Sequence, residues 1–240
     1  MTFDLTTDRS LPGRVALVTG ASRGAGAAIA RAFSAGGAKV GLLSRSGDDL
    51  GLPDALGVKC DVADRAQVFS AVDEVVQRFG SLDLVVANAG VGMYGPLLEL
   101  APEHVEAMID INLKGTIYTA AATLSHLIAA RGGDFVSVAS VAGLRGLPGE
   151  TVYNASKFGQ VGFTRSLDHE LREHGVRATN VAPGGIATDF AMGTGRTEES
   201  TEGMMTADEV ADTVVYCVTR PPTLRVLTLS YRPMNEASWG

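Results

Sequence analysis

Tyr153 and Lys157 stand four residues apart in the run Tyr-Asn-Ala-Ser-Lys, a spacing that sets a phenol and an ammonium on one face of a helix, within reach of each other. A phenol titrates near ~10 in water, so it exchanges protons usefully at neutral pH only where a positive charge stabilises its phenolate. Lys157 can supply that charge. By itself Tyr-x-x-x-Lys is a common accident of amphipathic helices, so the setting decides. Ser140 lies 13 residues upstream of Tyr153, just past the apolar run 134–138 and before the small-residue loop Val141-Ala142-Gly143. Ligands of open α/β sheets bind outside the carboxyl ends of the strands, which is where this places the Ser140 hydroxyl.

A second chemistry-bearing stretch is Thr19-Gly-Ala-Ser-Arg-Gly-Ala-Gly26, directly after the apolar Val15-Ala16-Leu17-Val18. The spacing Gly20-x-x-x-Gly24-x-Gly26 falls at a strand-to-helix junction. There, missing side chains let the backbone approach a pyrophosphate, and the helix N-terminus favours its charge. Glycines also gather at such turns for steric reasons alone. NAD-binding folds end the second strand on an acidic residue that bonds the ribose 2′-hydroxyl, whereas here the strand ends in Ser44-Arg45-Ser46. An arginine pairs with a 2′-phosphate, and Arg23 inside the glycine loop adds a second cation, so the pair points to NADP(H). Asp48 and Asp49 are the counter-argument, since another loop path would bring one of them to the ribose.

These residues need a frame. Apolar or β-branched runs at 14–18, 39–43, 58–60, 82–87, 134–138, 177–181 and 225–229 alternate with helical stretches at 24–35, 65–79, 102–130, 153–173 and 207–218. That alternation predicts a Rossmann-type, doubly wound α/β fold: a seven-stranded parallel sheet in a single domain with helices on both faces. The Gly- and Pro-rich segment 46–57 is too short for a helix and reads as a compact turn. Residues 1–13 read as a polar arm before a catalytic domain at 14–240, and 184–206, with little apolar periodicity, as a mobile loop beside a ligand site.

Composition narrows the partners. The chain has 240 residues, 45% of them hydrophobic, and a net charge of −7, so one core suffices and no basic surface invites nucleic acid. The start contains Asp4 and Asp8 rather than an apolar signal core, and no later segment has 18 uninterrupted apolar residues; the expectation is a cytoplasmic protein with no membrane partner. Cys60 and Cys217 are solitary and suggest neither a disulfide nor a metal site. His169 and His174, five residues apart on a helix, point ~140° away from each other and cannot share a metal. No metal is expected.

In this order, the motifs resemble the short-chain dehydrogenase/reductases. The likeness spans roughly 14–229 and rests on the 19–26 glycine loop, Asp61-Val62, Asn88-Ala89-Gly90, Asn112, Ser140, Tyr153-x-x-x-Lys157, and Pro183-Gly184 followed by Thr188. The resemblance implies that Tyr153 is the general acid, that Ser140 holds the carbonyl oxygen, and that Lys157 lowers the phenol's pKa and bonds the nicotinamide ribose. Asn112 would interrupt a long helix and hold a water that links the lysine to solvent. The cofactor would rest on Gly20, Ser22, Arg23, Gly24, Ala25 and Gly26. Ser44 and Arg45 would meet its 2′-phosphate, Asp61 and Val62 its adenine, and Asn88, Ala89 and Gly90 the adenosine side. Pro183 and Gly184 would also bind the cofactor, and Ile186 and Thr188 would contact its carboxamide. One departure from the family is Ala87, which replaces the first amide of the usual Asn-Asn-Ala-Gly; another is the ending Ser230-Tyr231-Arg232-Pro233.

The expected substrate walls are Met93, Tyr94, Pro96, Val141, Ala142, Leu144, Leu147, Gly185, Phe190 and Met192, a largely apolar set that suits a neutral, hydrophobic ketone or aldehyde. Arg145 and Glu150 are the nearby charges, and Arg145 is a candidate for recognising a carboxylate, as in a hydroxy-acid or serine-type dehydrogenase. A non-catalytic NADP-binding regulator is a rival, though such proteins typically lose the tyrosine or lysine. A sugar epimerase or dehydratase ranks below it, because the chain lacks room for their extra substrate domain. The family's habit implies a homo-oligomer, a tetramer or a dimer, packed through the helices at 102–130 and 153–173.

Overall fold

A computed structural model of the protein describes residues 10–192, 197 and 199–236. Most of the polar arm, residues 1–9, and part of the expected substrate loop, 193–196 and 198, lie outside the described residues.

Seven strands, β1 Val15–Thr19, β2 Lys39–Ser44, β3 Ala55–Lys59, β4 Leu84–Ala87, β5 Asp134–Val138, β6 Arg177–Pro183 and β7 Thr228–Tyr231, form one sheet in the order β3-β2-β1-β4-β5-β6-β7. Every pairing is parallel. Helices α1 Gly24–Ala35, α2 Arg65–Phe79, α3 Pro102–Ala107, α4 Gly115–Ala129, α5 Thr151–Leu171 and α6 Ala207–Val218 supply the crossovers. Alternation along each strand feeds two cores. Ala16 and Val18 of β1 join Leu84 and Val86 of β4 under α1 and α6, while Val15 and Leu17 join Val85 and Ala87 on the side of α2, α4 and α5. Ala87, where the family's first amide would stand, is thus a buried strand residue in an apolar layer.

After β3 the chain returns to the opposite side of β1, so a crevice opens between β1 and β4 at the carboxyl ends of the strands. The amino ends are locked instead. Arg14 donates to Asp83 at 2.6 Å and to Asp134 at 3.0 Å, and Arg177 donates to Asp134 at 2.7 Å. These pairs tie the starts of β1, β4, β5 and β6 together at the edge away from the crevice.

Some expected bounds shift. β3 begins at Ala55 rather than at 58, because its backbone pairs residue for residue with Val40 to Ser44 of β2. β7 begins at Thr228 rather than at 225. The preceding residues are held by other bonds: the Val226 carbonyl accepts from the Thr179 hydroxyl at 2.7 Å, and Arg225 pairs with Asp168. The resemblance implied that Asn112 interrupts the helix at 102–130, and a π-helical segment, Met108–Lys114, carries it between α3 and α4. No helix among the described residues is long and apolar enough to cross a membrane.

Candidate active site

One cleft of about 720 Å³ runs along the carboxyl ends of the strands. The glycine loop, Ser44-Arg45-Ser46, Asp61 and Val62 line one part of it, and Ser140, Tyr153, Lys157 and the loop after β6 line another.

Gly20, Gly24 and Gly26 all line the cleft, but a side chain at each would meet different neighbours. Gly20 has φ +66°, and a Cβ there would meet the Ala89 Cα at 2.8 Å. A Cβ on Gly26 would run into the Gly20 carbonyl and the Asn88 amide. Both are therefore demanded by the loop's own packing. Gly24, at φ +55°, differs: its nearest neighbour would be the Thr188 methyl at 3.5 Å, on the loop after β6. Helix α1 starts at Gly24 with no side-chain cap and no acidic residue in its first turn, so the helix itself supplies no anion to its N-terminal N–H groups.

The end of β2 settles the path of the acidic pair. Asp48 accepts from the Leu50 N–H at 2.8 Å and Asp49 from the Gly51 N–H at 2.9 Å, and neither lines the cleft. Exposed Arg23 and Arg45 do line it. Asp61 accepts from the Ala63 N–H at 3.0 Å, while the cap of α2 is Asp64. Asn88 works as a brace: its side-chain amide donates to the Thr19 carbonyl at 3.0 Å and ties the end of β4 to the glycine loop.

At the other end, Lys157 is buried, and its ammonium donates to the Val138 carbonyl at 3.2 Å and sits 5.8 Å from the centre of the Tyr153 ring. Burial pushes this ammonium down from the usual 10.5 to about 7, because the charged form loses its water. The Ser140 hydroxyl caps the turn Val141–Gly143, accepting from the Ala142 N–H at 3.1 Å; its own hydrogen has only a long contact, 3.5 Å, to the Pro183 carbonyl. A Cβ on Gly90 would press on the Asn112 side chain at 3.2 Å and stand 3.7 Å from the lysine nitrogen.

The Asn112 side chain is tied into the protein on both sides. Its oxygen accepts from the Val91 N–H at 2.8 Å, and its amide donates to the Val91 carbonyl at 2.9 Å and to the Ser156 hydroxyl at 3.0 Å. Both amide hydrogens are spent within the protein, so the side chain braces the loop after β4 against α5.

Of the expected substrate walls, Tyr94, Val141, Ala142, Leu147, Gly185 and Phe190 line the cleft. The rings of Tyr94 and Phe190 stand 5.5 Å and 5.9 Å from that of Tyr153. Met93, Pro96, Leu144 and Met192 are not among the lining residues. Met93 packs instead into a small apolar cluster with Met108 and Tyr153, and Leu144 and Pro96 face outward. Arg145 is paired with Glu150 at 2.7 Å in the cleft wall, and Asn154 donates to the Ala142 carbonyl at 2.7 Å to hold that loop on α5. Sequence reasoning missed Cys60, Ile111, Met204 and Glu236, which all line the cleft. Cys60 gave a faint signal, being next to Asp61; burial pushes its thiol up to about 11, so it is an unreactive wall.

The family model described as short chain dehydrogenase matches residues 14–199. An uncharacterized oxidoreductase of Staphylococcus epidermidis is 34% identical over 227 residues, covering 92% of this chain and 97% of its own length. Among solved structures, an alcohol dehydrogenase from Thermococcus sibiricus complexed with 5-hydroxy-NADP superposes with a TM-score of 0.86 at 32% identity, covering 95% of this chain and 99% of that one. A 3-ketoacyl-(acyl-carrier-protein) reductase from Brucella melitensis complexed with NADH has a TM-score of 0.85 at 26% identity, covering 95% and 100%.

Proposed function

The chain belongs to the short-chain dehydrogenase family of oxidoreductases, and we propose that it is an NADP(H)-dependent carbonyl reductase for a neutral, largely hydrophobic ketone or aldehyde. The observation that carries this reading is the joining of Ser140, Tyr153 and Lys157, in one cleft, to a glycine loop that contains Arg23 and to Arg45 at the end of β2.

The residues present fit a dinucleotide phosphate. The first turn of α1 offers N–H groups without an internal anion, Gly24 leaves room above them, and the carboxylates nearest the end of β2 are turned into a local turn. Arg23 and Arg45 would hold the 2′-phosphate, which matches a charge to a charge where an NAD site offers an acid. Bound there, NADPH would supply the hydride that the carbonyl carbon receives.

Tyr153 gives its phenolic proton to the carbonyl oxygen as negative charge develops on it. Ser140 holds that oxygen through its hydroxyl hydrogen, whose present contact to Pro183 is long enough to be exchanged. Lys157, in its charged form, stabilises the phenolate left on Tyr153, and the anionic phosphates of the cofactor favour that form. Tyr94 and Phe190, packed against the Tyr153 ring, give the substrate an apolar seat and exclude water. The ion pair Arg145–Glu150 presents no net charge to it, which supports the neutral substrate over the carboxylate-bearing one. Because cells keep NADPH mostly reduced, carbonyl reduction is the working direction, and the reaction is reversible.

Tyr153→Phe tests the mechanism. Ketone-dependent NADPH oxidation should fall by about 100-fold or more, while the Kd for NADPH stays within about twofold; turnover equal to wild type would refute it. A ketone panel run with NADPH and NADH tests the cofactor and the substrate class together.

A further inference from the structure

The last described residues of the chain fold back over the cleft. Past β7, the segment 232–236 crosses the loop that follows β6, and Glu236 reaches the cleft lining. Its Oε2 accepts from the Gly185 N–H at 3.0 Å, and its Oε1 lies 3.9 Å from the Arg232 Nε. The fit is close. A Cβ on Gly184 would run into the Glu236 carboxylate and approach the Pro233 Cδ at 3.0 Å, so the glycine after Pro183 is required by the tail. The preceding residue of the tail, Asn235, donates to the Glu202 carbonyl at 3.3 Å, close in sequence to Met204, which also lines the cleft.

The loop 184–187 is otherwise fixed by main-chain bonds alone: the Gly184 N–H to the Tyr231 carbonyl at 2.8 Å, the Met205 N–H to the Gly185 carbonyl at 3.0 Å, and the Ala187 N–H to the Met205 carbonyl at 2.8 Å. Glu236 supplies the partner of the Gly185 N–H. A carboxylate accepting a backbone N–H makes a stronger bond than a neutral acceptor. Its distance in sequence, 51 residues, makes it a tertiary tether rather than a turn. A carboxylate in a cleft built for a polyanion is electrostatically adverse, and a direct bond to the loop gives it a reason to be there.

We propose that Glu236 is a positioning residue, and that the segment 232–236 forms part of the site for the nicotinamide half of the cofactor by holding the loop at Gly184 and Gly185 in place. The proposal rests on the reading of the cleft as a nicotinamide dinucleotide site. Glu236 acts through the loop and takes no part in proton transfer.

The test compares two ligands. Full-length wild type, Glu236→Gln and Glu236→Ala are titrated with NADPH by fluorescence and with adenosine 2′,5′-bisphosphate, the adenine half alone, by calorimetry. Glu236→Ala should weaken NADPH by about tenfold and leave the bisphosphate within about twofold, with Glu236→Gln, which keeps an acceptor, between the two. In turnover, KM for NADPH should rise more than kcat falls. An unchanged NADPH Kd in Glu236→Ala overturns the proposal, as does an equal loss of both ligands, which marks general unfolding. A wild type that binds NADPH while the variant binds it equally well refutes the tether alone; a wild type that binds no dinucleotide refutes the cofactor reading, and the tether with it.

Discussion

Lys157→Met should make the unliganded protein more stable while removing its activity. Lys157 is buried and titrates at about 7 rather than 10.5, with loss of water as the cause. Holding the ammonium in this site therefore costs ~5 kcal/mol relative to the unfolded chain. Methionine fills a similar volume without the charge, but gives up the bond to the Val138 carbonyl, which contributes ~1 kcal/mol. The sign follows from proton counts. Below about pH 7 both folded and unfolded chains carry the charge and the whole cost is present; between about 7 and 10.5 the unfolded chain binds more protons, so wild-type stability rises with pH. The variant should thus be more stable by about 4 kcal/mol at pH 6, by about 1 kcal/mol at pH 9, and equal to wild type near pH 10. Urea unfolding of both proteins at pH 6, 7, 8 and 9 measures this, and other titrating groups cancel in the difference. Parallel stability profiles would refute the reasoning, since they would mean that the lysine is not held as a desolvated ammonium.

Three further outcomes are expected. Arg45→Asp should lower the ratio of kcat/KM for NADPH over NADH by about tenfold or more, because a carboxylate repels the 2′-phosphate and accepts from a 2′-hydroxyl; an unchanged ratio in paired assays would remove Arg45 from the cofactor site. Asn112→Ala leaves the Val91 N–H and carbonyl without their buried partner and should cost about 2–3 kcal/mol in chemical unfolding; a loss of activity at full stability would return to Asn112 a role beyond bracing. With a keto acid and its ethyl ester as a substrate pair, Glu150→Gln should raise the acid-to-ester ratio of kcat/KM by about tenfold by unmasking Arg145, and Arg145→Gln should lower it. Equal ratios in both variants would show that the pair does not face the substrate.

Much of this molecule is legible in its sequence, for local reasons. The two-residue period of a strand sends successive side chains of Val15–Thr19 and Leu84–Ala87 to opposite faces of the sheet, and the βα alternation, broken only between β2 and β3, makes the sheet parallel. Helical period alone brings Lys157 beneath Tyr153. The cleft at the carboxyl ends then follows from the order of the strands. Register is less legible: where β3 and β7 begin depends on which backbone groups of β2 and β6 remain to be paired, and no local pattern records that.

The sequence by itself determined the fold class, the glycine loop and the Tyr-Lys helix, because each is set by neighbours within a few positions. Only the tertiary structure decided how the residues are used. It showed that Gly20 and Gly26 serve the loop's own packing, that Asp48 and Asp49 turn away from the cleft, and that Arg145 is masked by Glu150. It also brought Glu236 to Gly185 across 51 residues. Contacts of that kind join distant parts of the chain, and composition and spacing hold no trace of them until the sheet has set the strands side by side.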